Sequence, residues 1–178
     1  ETLSNLSRHS HPAYPTTIYY AFKQAETDEE DGTASTGWET FLEAVVTAGF
    51  SVGGTWPVRT EQVAAMKATI NALASSVVLV CRPRTTDAPV ATRREFLNAL
   101  KAQLPSALHH LQRGNIAPVD LAQAAIGPGM AIYTRHAKVM DVEGRPVGVR
   151  EALALINQTL DASLAEQEGD FDADSRWA

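Results

Sequence analysis

Ser75-Ser76-Val77-Val78-Leu79-Val80-Cys81-Arg82 is the stretch from which the fold of this chain can be worked out. It is almost wholly apolar and rich in β-branched residues, which suit a pleated strand. An apolar run that does not alternate predicts a strand buried on both faces, and so a central place in a sheet. Working outward, Thr16–Phe22 follows Pro15 and combines β-branched with aromatic residues, so it too is expected to be a buried strand. Phe50–Val58 reads as a strand interrupted by Gly53-Gly54 and ended by Pro57. Between these two, Trp38, Phe41, Leu42, Val45 and Val46 fall on one helical face. Thr36 with Glu39 three residues on has the spacing of a capping box, and Gly49 is placed to stop the helix.

Beyond Pro89 the texture turns helical. Phe96, Leu97, Leu100, Leu104, Leu108 and Leu111 recur at helical spacing, with Pro105 predicting a kink or two consecutive helices. Pro118–Ala125 suggests a short helix with proline in its first turn. Gly127-Pro128-Gly129-Met130 then reads as a helix-ending turn. A phosphate-cradling loop would follow a strand and open a helix, the reverse order. Ala131–Val142 suggests a hairpin or a strand with a ragged return, before a turn at Glu143-Gly144. Val149, Leu153, Ile156, Leu160 and Leu164 mark a long amphipathic helix. The composition shift places a domain boundary within Arg82–Pro89, dividing 1–88 from 89–178.

No complete catalytic constellation is visible. His9 and His11 lie near one end with no third ligand in a metal-binding pattern. His109 and His110 are adjacent on a helix, where neighbours diverge by about 100°. His136, between Arg135 and Lys138, reads as a surface residue, and the acidic run Glu26–Asp31 as solvated surface. The single cysteine, Cys81, excludes an internal disulfide and any multi-cysteine metal site. Its apolar setting reads as a buried, inert thiol. The 178 residues, 44% hydrophobic and 20% charged, suit an ordinary folded domain. No apolar run approaches the roughly 18 residues of a membrane helix, and the start does not resemble a signal peptide. No membrane partner and a cytoplasmic setting are therefore expected. A net charge of −6 gives no global attraction to nucleic acid, so any DNA contact must come from a local cluster or from other parts of a longer protein. Glu1 in place of an initiator Met and the abrupt Trp177-Ala178 suggest cuts at both ends.

Several segments in order carry a resemblance. They are Thr17-Ile18-Tyr19-Tyr20-Ala21-Phe22-Lys23-Gln24, Gly37-Trp38-Glu39, Ala48-Gly49-Phe50 and Thr55-Trp56-Pro57-Val58-Arg59-Thr60-Glu61. Leu73–Arg84 and Gly114–Met130 continue the series. Together they resemble the C-terminal portion of adenine-specific DNA methylases that contain a zinc ribbon, a family with an N-terminal domain of unknown function. The resemblance covers about Ser10 to Trp177. It implies S-adenosylmethionine as methyl donor, the exocyclic N6 of adenine as acceptor, and base flipping to reach that nitrogen. It further implies a glycine-rich cofactor motif and an Asp-Pro-Pro-Tyr-type motif. Neither motif is in this sequence, and one cysteine cannot build the zinc ribbon. The chain is therefore expected to be inactive alone, with no catalytic, cofactor-binding or metal residues of its own. S-adenosylmethionine would belong to the parent protein, and the partners would be DNA, met through that parent, and the upstream part of the same polypeptide.

Strand, helix, strand, then a third strand reached without a helix is also how a Rossmann-like methyltransferase sheet finishes. The expected fold is therefore α/β: the last strands of such a sheet, followed by a mainly helical region with a short hairpin. The first two strands would be parallel through a right-handed crossover, with the third antiparallel between them. Ligands of such sheets gather at the carboxyl ends of the parallel strands. This places the candidate DNA contacts Lys23, Gln24, Trp56, Arg59 and Lys67 at the active edge, and Arg82 and Arg84 at the opposite one. The alternative is a non-catalytic α/β module that binds DNA or a partner protein.

Overall fold

The computed structural model describes residues 1–21, 36–59, 75–114 and 118–169. The apolar run forms strand β3 (Ser75–Pro83), which lies between β1 (Thr16–Ala21) and β2 (Phe50–Arg59) and is antiparallel to both. The two outer strands consequently point the same way, and helix α2 (Thr36–Thr47) lies between them in sequence. A short helix, α1 (Thr2–His9), precedes β1. Gly49, at φ 87°, makes the left-handed turn from α2 into β2 that a side chain would disfavour.

The burial of these strands differs from the expectation. Val77, Leu79 and Cys81 are fully buried, whereas Val78 and Val80 are only half-buried. In β1, Thr17, Tyr19 and Ala21 are exposed while Ile18 and Tyr20 turn inward. The inward face meets α2, where Trp38, Leu42 and Val45 are buried and the Tyr20 ring stacks on Phe41 at 4.5 Å. Hydrophobicity measures what a strand could bury. Whether the second face is covered depends on which elements reach it.

Pro57 does not end β2. The strand continues to Arg59, with Pro57 in register with Val77, and an edge position tolerates the missing N–H. The interruption at Gly53-Gly54 is a register shift between Val52 and Gly54, a bulge on that edge strand. Glu39 pairs with Arg150 at 2.7 Å; the capping box expected of it with Thr36 rests on a side chain outside the described residues.

After β4 (Val90–Thr92) the chain enters α3 (Arg93–Arg113), one helix that runs through Pro105. Its capping box is Thr92 with Glu95, not recognised from sequence: the Thr92 hydroxyl accepts the Glu95 N–H at 3.2 Å, and Glu95 accepts the Thr92 N–H at 2.7 Å. Helix α4 (Pro118–Thr134) is twice the expected length and incorporates Gly127-Pro128-Gly129-Met130. The expected hairpin over Ala131–Val142 is therefore replaced by the end of α4 and a short strand β5 (Lys138–Met140), which pairs in parallel with β4. Only an isolated antiparallel bridge, Met140 to Pro146, remains of a return. The turn at Gly144 is present, at φ 77°. Helix α5 (Val149–Gly169) closes the described chain.

The sequence-based boundary at 88/89 falls just before β4. Buried residues on both sides of it, Phe50 and Leu79 with Phe96, Met130 and Ile156, belong to one hydrophobic cluster. A smaller cluster of Leu104, Leu108, Ala125 and Leu160 joins α3, α4 and α5. The architecture is α/β, with a three-stranded antiparallel sheet and a separate parallel pair. Among the described residues, no helix is long and apolar enough to cross a membrane.

Candidate nucleic-acid edge of the sheet

Strand direction decides what can meet at each end of the three-stranded sheet. Ala21 lies opposite Ser76 and Arg59 opposite Ser75, so the carboxyl ends of β1 and β2 flank the amino end of β3. Of the candidate contacts, Lys23, Gln24 and Lys67 lie outside the described residues. Arg59 is the last residue of β2, and its side chain also lies outside them. Trp56 is described and half exposed, at 49%. Its ring covers Gly54, where an added Cβ would meet ring carbons at 2.9 Å.

Trp56 belongs to a row missing from the sequence analysis. Val78 is the register partner of both Tyr19 and Trp56, so the three residues cross the sheet on one face, with Tyr19 71% exposed. Val58, two residues beyond Trp56, is also exposed on that face. The alternation Thr17-Tyr19-Ala21 against Ile18-Tyr20 carried the signal, although the apolar character of the whole segment hid it.

At the other end Phe50 pairs with Pro83 and Thr16 with Cys81. Arg82 and Arg84 stand there, as strand direction required. Arg82 is exposed. Arg84 is committed to the fold: its guanidinium donates to the carbonyls of Val46 and His136, each at 3.3 Å, and its backbone N–H donates to Gly49 at 2.8 Å. These carbonyls lie near the ends of α2 and just past α4, where helical partners run out.

The remaining candidates are spread over the molecule. His9 and His110 each contact the backbone carbonyl four residues earlier, at 2.8 Å, and the His11 ring lies tilted against Tyr14. His136 is half-buried. Among the described residues no three His, Cys, Asp or Glu side chains form a possible metal site. Burial pushes the Cys81 thiol up to about 12, so it stays protonated and unreactive at neutral pH. Burial likewise pushes Tyr133 up to about 12, while its hydroxyl donates to the Val147 carbonyl at 2.7 Å. Two surface grooves carry polar groups that already have structural partners. In the larger, about 510 Å³ between α3 and α5, the hydroxyls of Thr159 and Ser163 donate to carbonyls of their own helix. In the smaller, beside α2, Glu43 accepts the Val149 N–H and Glu39 holds Arg150.

S-adenosylmethionine would need a backbone cradle. Gly127 and Gly129 do not offer one, since the space at each is filled, by Thr55 and by Ile156 respectively. No family model, no curated protein and no solved structure matches the chain.

Proposed function

We propose that this chain completes the sheet of an S-adenosylmethionine-dependent DNA adenine-N6 methyltransferase and adds its helical C-terminal region. The cofactor loop and the adenine-binding motif would come from another part of the parent polypeptide. The observation that carries the proposal is the strand order β1-β3-β2, with β3 antiparallel between two strands that run the same way. A central strand inserted antiparallel leaves the carboxyl ends of both its neighbours on one edge. That edge is where an open α/β sheet receives its ligands.

On this reading the chain's own contribution is contact and positioning, not methyl transfer. Trp56 supplies an aromatic surface near the edge, suited to stacking on a base. Arg59 and Lys67 supply phosphate contacts, while Lys23 and Gln24 come two and three residues after the last residue of β1 in sequence. Within the parent protein, Arg59→Ala and Lys67→Ala should each weaken DNA binding and lower the salt slope by about one unit. Arg82→Ala, at the opposite edge, should leave affinity unchanged. Arg84 is unsuitable as the control because its loss would disturb the fold. A larger loss for Arg82→Ala would overturn the proposed DNA edge. Failure of the parent protein to transfer labelled methyl groups to adenine would overturn the enzymatic proposal itself and favour a non-catalytic binding module.

A further inference from the structure

We draw no further inference here: the strongest candidate, the open sheet face on which Tyr19, Val78 and Trp56 form one row across β1, β3 and β2, carries nothing because nothing in the structure shows what covers it.

Discussion

Thr55 of β2 donates its hydroxyl to the backbone carbonyl of Ala124 in α4, at 3.3 Å. Ala124 stands four residues before Pro128, the residue whose N–H would have closed that helical turn. Proline has no N–H, so the carbonyl would be left without its donor in a buried place. A strand side chain supplies the missing bond, which helps α4 run through a segment whose composition otherwise ends helices. Thr55→Val, nearly the same shape without a donor, should therefore destabilise the protein by about 1–3 kcal/mol. Thr55→Ser should retain most of the stability. Thermal melts of the two variants check this, and equal melting temperatures would show that the bond contributes nothing.

The same contact explains Gly127. A Cβ there would meet the Thr55 Oγ1 at 2.6 Å and crowd the backbone of β2, which cannot rotate away. Alanine ordinarily favours a helix over glycine by about 1 kcal/mol. Here the overlap should reverse the sign, so Gly127→Ala is expected to lower stability by about 1–3 kcal/mol. Gly148→Ala, just before α5 and with nothing within 4 Å of its added methyl, meets no overlap and should cost less than Gly127→Ala. Denaturant midpoints of the two variants give the comparison.

Arg84 should matter to folding, not to binding. Its guanidinium joins the Val46 carbonyl of α2 to the His136 carbonyl beyond α4, tying both helices to the end of β3. Arg84→Ala removes the donor to the His136 carbonyl and one of two donors to the Val46 carbonyl, which also accepts the Gly49 N–H, and should cost about 1–3 kcal/mol. Arg84→Lys should recover only part of this, because an ammonium lacks the planar fork that reaches two acceptors. Arg82→Ala should leave the melting temperature unchanged.

Two carboxylates predict a loss of stability in acid. Glu95 is held below the usual carboxylate range, first by the Thr92 backbone N–H and then by the Thr92 hydroxyl. Asp141 is held below it chiefly by the Arg145 backbone N–H, with the Arg145 side chain and the Glu143 N–H adding to the effect. Both are depressed in the folded state, so their stabilisation is present above the unfolded value of about 4. It disappears as pH falls through the folded values. Melting temperature should drop below about pH 4, and Asp141→Asn should flatten part of that drop. A variant with the same acid profile as the parent would remove Asp141 from the explanation.

Much of the sheet was legible in the sequence because its signals are local. An apolar β-branched run and a glycine at the end of a helical stripe marked its elements. The apolar run pointed to the central place of Ser75–Pro83, while its antiparallel direction and the edge on which Trp56 and Arg59 stand followed from the way a Rossmann-like sheet finishes, and the strand pairing agrees with both. The same logic placed Arg82 and Arg84 at the far end, though not the role of Arg84 in joining two helix ends. Local chemistry misled where a distant partner reversed its usual meaning. Gly127-Pro128-Gly129 ends a helix by propensity, yet here the glycines make room for Thr55 and Ile156, and Thr55 satisfies the carbonyl that Pro128 frees. Likewise the apolar character of β1 and β3 masks the alternation that separates a face helices cover from one they leave open. Only tertiary structure decided these points, because burial and the satisfaction of a backbone carbonyl depend on residues far away in sequence.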